Sequence, residues 1–191
     1  MDQPLARGGA AVSMSPSHKY ARIESERRFL LRTLPDDLDD HNAMRIIDRY
    51  WAGTRMRLRR METLDGETIQ LKLTQKYMEP SRPAEETVIT NQYLTEAEFA
   101  LFAQLPGIEL VKRRYRYLHQ GSGYSLDRFE GPLEGLLLAE IEAGQGVLAP
   151  GTVPDFAICE VTAEAVFTGG RLAETNAAQL ADLLAKWLGE P

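Results

Sequence analysis

Through most of the chain, polar and apolar residues alternate with a period of two, the pattern of strands that bury one face. The alternation predicts strands over Arg22–Arg32, Met44–Trp51, Thr54–Thr63, Glu67–Tyr77 and Glu85–Asn91. It resumes over Ile108–Leu118, Tyr124–Glu130 and Gly135–Ala143, with a last short strand over Ala157–Thr162. Leu64-Asp65-Gly66 reads as a hairpin turn, because Asp-Gly tolerates the positive φ angles of a tight connection. Gly121-Ser122-Gly123 reads as a second turn.

Two segments break the period. Thr95 and Glu98 form a capping box ahead of Ala97, Phe99, Leu101, Phe102 and Leu105, which predicts a mid-chain helix. Leu180, Leu183, Leu184, Trp187 and Leu188 recur at helical spacing within Glu174–Leu188, so a C-terminal helix should pack on the barrel or plug it. About eight strands joined mostly by short turns hide their edges best by closing on themselves. The expected fold is therefore mainly β within an α+β class: an eight-stranded antiparallel closed barrel or tunnel with those two helices.

Composition narrows the class. The chain has 191 residues, enough for one domain with a closed core, and no internal repeat is evident. Residues 1–20 are rich in Gly, Ala, Ser and Pro and read as a disordered leader, leaving 21–191 as a single domain. A formal net charge of −6 argues against a general nucleic-acid or membrane-surface binder. No apolar run is long enough for a transmembrane helix. The single Cys159 sits in an apolar stretch and reads as a buried structural thiol, consistent with a reducing, cytoplasmic setting.

The net charge conceals a segregation. Nine Arg or Lys residues fall between Arg45 and Arg82, whereas acids crowd the stretch from Asp127 to Glu164. Within strands the charges keep to one face: Arg55, Arg57 and Arg59; Lys72, Thr74 and Lys76; Lys112, Arg114 and Arg116; Glu140 and Glu142. A solvated face ordinarily mixes signs, and like charges two apart repel unless a counter-ion lies between them. A wall of Arg and Lys calls for a polyanion, and Glu-x-Glu pairs suit hard cations such as Mg²⁺ or Mn²⁺. These faces together specify a cavity for a metal and a polyphosphate. His18 and His119 read as solvent-exposed, Tyr50 and Trp51 as core or rim packing, and Glu86 has the strand context of a cavity residue.

At these residues the sequence resembles the CYTH superfamily, the triphosphate tunnel metalloenzymes, in its bacterial form. The family hallmark Glu-x-Glu-x-Lys appears as Glu24-Ser25-Glu26-Arg27-Arg28. Then follow in order Arg57-Leu58-Arg59, Leu73-Thr74-Gln75-Lys76, Lys112-Arg113-Arg114, Asp127-Arg128-Phe129, Glu140-Ile141-Glu142 and Glu160-Val161-Thr162. The likeness spans roughly residues 22 to 172. It implies a tunnel that threads a triphosphate-containing substrate and hydrolyses it with one or two divalent ions. Tripolyphosphate is the leading substrate, with nucleoside or thiamine triphosphates behind it.

The resemblance implies Glu24, Glu26 and Arg28 as catalytic residues, and Glu24, Glu26, Asp127, Glu140, Glu142 and Glu160 as ligands of Mg²⁺ or Mn²⁺. Arg57, Arg59, Lys72, Lys76, Lys112, Arg114 and Arg116 would cradle the phosphates, with Arg55 in support. Arg28 replaces the family lysine, keeping its charge but not its capacity to change protonation. Two alternatives share these residues: a class IV-type adenylate cyclase making cyclic AMP and pyrophosphate, and a non-catalytic polyphosphate-binding module. The expected partner is a small-molecule triphosphate, with no membrane and no specific nucleic acid. A homodimer would be unsurprising.

Overall fold

Each stretch of alternation forms a strand. The computed structural model describes residues 20–142 and 152–189, so the leader, all but Tyr20, and most of the loop after the eighth strand lie outside the described residues. The strands are β1 (Arg22–Leu30), β2 (Met44–Tyr50), β3 (Met56–Thr63), β4 (Thr68–Tyr77), β5 (Glu86–Tyr93), β6 (Ile108–His119), β7 (Ser122–Phe129) and β8 (Leu137–Glu142), with a two-residue β9 (Cys159–Glu160). Helix α1 (Glu96–Ala103) joins β5 to β6, and α2 (Gly169–Ala173) and α3 (Ala177–Leu188) end the chain.

The strand order is β5-β4-β3-β2-β6-β7-β8-β1-β9, and a further antiparallel pairing of β5 with β1 closes the barrel. Residues Arg22 to Ser25 of β1 pair with β5, and Glu26 to Leu30 pair with β8 along the other edge. Where β5 ends, β9 takes over that edge of β1 opposite Phe29 and Leu30. Every ladder is antiparallel, so each barrel strand has a partner on both sides and no long edge is left unpaired.

Two details depart from the sequence reading. The β6–β7 hairpin turns on Gln120-Gly121, with φ of 49° and 78°, so Ser122 already pairs with His119. Positive φ at both central residues matches the strand twist of a tight hairpin, and this places the turn one residue earlier than expected. The predicted C-terminal helix starts at α3, where Asn176 forms a capping box with Gln179, and the short α2 that precedes it was not expected from the sequence.

The core divides by barrel face. Outside, Phe29, Leu31, Tyr115, Leu126 and Ile141 are buried beneath the loop residues Leu34, Leu38, Phe156 and Ala157. Inside, at the end where β1 finishes and β8 begins, the inward positions turn from charged to apolar. Leu30, Leu110, Phe129 and Leu138 pack there on Phe167, Leu172 and Leu180. The C-terminal segment therefore backs one end of the barrel, and its apolar side chains form part of the cavity floor.

Candidate functional site

All eight barrel strands contribute to one cavity of about 860 Å³. Its wall carries ten Arg or Lys residues (22, 28, 55, 57, 59, 72, 76, 112, 114 and 116) against five carboxylates (Glu24, Glu26, Asp48, Glu140 and Glu142). Twelve of the sequence-predicted site residues line it: Glu24, Glu26, Arg28, Arg57, Arg59, Lys72, Lys76, Lys112, Arg114, Arg116, Glu140 and Glu142. Their inward aim follows directly from strand parity. Arg27, between Glu26 and Arg28, points outward instead.

Asp127 and Glu160 are placed off this lining. Asp127 is fully buried in the wall, where Arg114 donates to both its oxygens at 2.7 Å and Lys112 also donates. Glu160 sits on β9, outside the closed ring. It accepts from outward-facing Arg27 at 3.0 and 2.6 Å and from Thr162 at 2.6 Å. Parity alone suggested an inward Glu160, but a two-residue strand at the edge of β1 is not part of the wall. Glu86 likewise lies off the lining and accepts from Arg82 at 3.0 Å.

The acids form one end of the charge pattern. Lys76 Nζ donates to Glu24 at 2.9 Å and to Glu26 at 3.1 Å, so one cation is shared by two carboxylates two residues apart. Burial alone would raise the Glu24 carboxyl, but Lys76 and Arg57 hold it below the ordinary carboxylate range. Glu142 lies directly across from Glu26, and Glu140 across from Arg28. Glu140 is hydrogen-bonded by Arg114 and sits 3.8 Å from Arg28. Burial raises its carboxyl, and Arg114, Lys112 and Arg28 more than offset that and keep it ionised.

The resemblance read from the sequence implies a divalent metal. Among the described residues no three His, Cys, Asp or Glu side chains converge as a ready cage. A Mg²⁺ site does not need one, since such ions commonly take one or two carboxylates plus substrate phosphate oxygens and waters. The Glu24–Glu26 pair fits that requirement: both carboxylates already converge on one cation, the Lys76 ammonium. Glu142, opposite Glu26, extends the same oxygen-rich wall.

The basic half contains one residue that was not singled out from the sequence, Asp48. Asp48 is 1% exposed, and Arg59 donates to it side-on through Nε and Nη2, both at 2.6 Å. Arg57 Nε lies 3.7 Å from the same carboxylate, buried and without a hydrogen-bond acceptor, while its Nη2 donates to Thr74 at 3.3 Å. Lys72, directly across from Arg59, forms no hydrogen bond or ion pair among the described residues. Burial, then Arg59 and Arg57, depress its ammonium to about 8. Tyr50 also lines the cavity, and burial with the Asp48 charge pushes its phenol up to about 12. The available signal for Asp48 was its position: it shares a strand face with Met44, Ile46 and Tyr50, where an acid needs a buried partner.

His119 is not solvent-exposed but stacks on Tyr117, meets Phe156 edge-on and lies 3.0 Å from Asp155. His18 is outside the described residues. Cys159 is half-buried against the core, and burial raises its thiol. Among the described residues no helix is long and apolar enough to cross a membrane.

No protein-family model and no curated protein sequence matches the chain. Solved structures do. The inorganic triphosphatase NE1496 superposes with a TM-score of 0.53 at 24% identity, over 78% of this chain and 93% of that one. A second structure of NE1496, described as a hypothetical protein, gives 0.53 at 25% identity over 80% and 99%. The chain has the CYTH tunnel fold. A looser match, a Bacillus halodurans protein provisionally assigned as an adenylate cyclase, has a TM-score of 0.44 at 16% identity over 90% and 92%. In this CYTH tunnel the Lys-to-Arg change of the hallmark leaves Arg28 at the cavity wall, where it also donates to the Phe167 carbonyl at 3.3 Å.

Proposed function

We propose that the protein is a triphosphatase that hydrolyses a triphosphate-containing substrate, foremost tripolyphosphate, with Mg²⁺ or Mn²⁺. The observation that carries the reading is the cavity wall itself: ten cations against five carboxylates in a chain of net charge −6. The excess of positive charge matches a triphosphate, which brings about four negative charges near neutral pH. The likeness to a triphosphatase of the same fold supports the choice of substrate.

In this reading Arg57, Arg59, Lys72, Lys112, Arg114 and Arg116 hold the phosphate chain along the basic wall. Arg is suited to this because its planar fork meets two phosphate oxygens at once. Glu24 and Glu26, with Glu142 and Glu140 beside them, would hold the metal, and Lys76 gives up its place between the first two carboxylates. The metal, when bound, would neutralise phosphoryl oxygens and acidify a water. In hydrolysis a water would add to the terminal phosphorus as the bridging P–O bond breaks, its protons passing to solvent or to the departing chain, and orthophosphate and the shortened chain would leave. Arg28 and Arg114 stabilise charge on the departing oxygen. A single such donor typically contributes about 3 kcal/mol.

A phosphate-release assay with tripolyphosphate, ATP and thiamine triphosphate, each with and without Mg²⁺ or Mn²⁺, tests this. Metal-dependent orthophosphate release from tripolyphosphate is expected, falling by on the order of a hundredfold or more in Glu24→Gln and Glu26→Gln. Normal turnover by either variant would refute the metal assignment. Cyclic AMP and pyrophosphate from ATP would identify a cyclase, and tight metal-free binding without turnover would identify a binding module.

A further inference from the structure

Asp48 raises a separate question, since the phosphate-holding role of the basic wall gives a buried acid no obvious place. Its carboxylate is 1% exposed and lies among Arg57, Arg59 and Lys112, which together hold it ionised against the cost of burial. A buried ion pair is weak evidence for stability, because an apolar pair of similar size often serves the fold as well or better. An acid also works against anion binding by cancelling one cation. Its retention therefore needs another reason, and the geometry supplies one.

Arg59 uses Nε and Nη2 on Asp48, which fixes the plane of its guanidinium and leaves Nη1 available. Arg57, two residues along the same face, has its Nε near the same carboxylate but beyond hydrogen-bonding distance, so that donor is unused. Without a negative charge between them, two guanidiniums and the facing Lys72 would repel one another and spread apart. In the neighbouring strand pair of the same wall, beyond the β2–β6 ladder, the same arrangement recurs. Asp127 on β7, directly opposite Arg114 on β6, grips that arginine side-on while Lys112 shares the carboxylate. Asp48 on β2 stands in the same relation to Arg59 on β3.

We infer that Asp48 is a positioning residue, holding the Arg59 guanidinium so that its Nη1 group faces the bound phosphate chain, with Arg57 kept beside it by the same charge. The inference rests on the proposed phosphate-binding role of this wall. It makes a prediction of opposite sign to simple electrostatics. Asp48→Asn makes the cavity more positive by one charge, so charge alone predicts tighter anion binding, whereas positioning predicts weaker binding.

The experiment is calorimetric titration of the full-length protein with tripolyphosphate in the absence of metal, with thermal melts to confirm folding. Wild-type protein that neither binds tripolyphosphate in this titration nor releases phosphate from it with Mg²⁺ or Mn²⁺ would overturn the phosphate-binding reading itself. Given wild-type binding, Asp48→Asn should raise Kd on the order of tenfold, the effect of losing about one well-placed hydrogen bond to a charged group. In an Arg59→Gln background the same change should raise Kd less than about threefold, because the arginine it positions is gone. An unchanged or lower Kd for folded Asp48→Asn overturns the inference, as does an equal loss in both backgrounds. If Asp48→Asn does not fold, Asp48→Glu replaces it: the charge is kept but displaced by one methylene. Positioning then predicts weaker binding, and wild-type affinity would overturn it.

Discussion

Lys72 stands apart from the other two lysines of the cavity wall. Lys76 is held by Glu24 and Glu26, and Lys112 by Asp127, whereas Lys72 faces Arg59 and Arg57 with no carboxylate of its own. Burial and those two arginines lower it to about 8, so it titrates close to working pH. The sign follows from which form binds anions. Below about pH 8 Lys72 is charged and contributes to phosphate binding; above it that contribution is lost. Affinity for tripolyphosphate should therefore fall as pH rises through about 8, by on the order of tenfold for one charged donor. Lys72→Arg should move this limb to higher pH, and Lys72→Met should remove it while weakening binding below pH 8. An unchanged limb in Lys72→Met, measured by Kd against pH, would place its origin elsewhere. At this scale the sequence was informative wherever parity sufficed, as for Glu24, Glu26, Arg57 and Lys112. It was silent on Asp48, whose meaning depends on a partner one strand away, and misleading for Glu160, whose strand is too short to belong to the wall.

The elements themselves were largely legible because their signals are local. Alternation marked every barrel strand, and Thr95-x-x-Glu98 marked the start of α1, where the hydroxyl accepts from the Glu98 amide and the carboxylate accepts from the Thr95 amide. The C-terminal segment was harder to read. Gly169 and Gly170 are poor helix formers, and α2 exists because Leu172 is buried against Phe167 and Leu30 rather than because of propensity. Gly169 also lies so close to Tyr50 that a Cβ there would fall on the phenol hydroxyl, a constraint invisible in sequence. Asn176 then restarts the helix by a reciprocal cap with Gln179. Removing that cap in Asn176→Ala should cost about 1 kcal/mol. In a domain of this size that is a Tm lower by about 2–4 °C. The altered helix packs behind the floor of the cavity through Leu180, so metal-dependent turnover at 25 °C should stay near wild type. A melt unchanged within a degree would show that the cap does not stabilise α3.

For the molecule as a whole, the distribution of charge matters more than its sum. A chain of net charge −6 has gathered ten cations around one cavity, and in the free protein these are only partly balanced by the five carboxylates of the lining and the buried Asp127 behind it. Their mutual repulsion is borne by the closed barrel, whose strands are paired on both sides and cannot splay without breaking ladders. Alternation could reveal the two charged faces, but only closure of β5 onto β1 brings the acids of β1 and β8 against the bases of β3, β4 and β6. An anion of the right length relieves the repulsion in the folded state alone, since the unfolded chain no longer holds these cations together. Binding must then raise thermal stability by mass action, by about 2.7 kcal/mol at a hundred times Kd. For a chain of this length that corresponds to a Tm higher by about 5–10 °C. Sulfate at matched ionic strength screens the same charges without spanning the cavity, so it should give a much smaller shift. Equal shifts from sulfate and tripolyphosphate in parallel melts would mean that the cavity responds to ionic strength rather than recognising a phosphate chain.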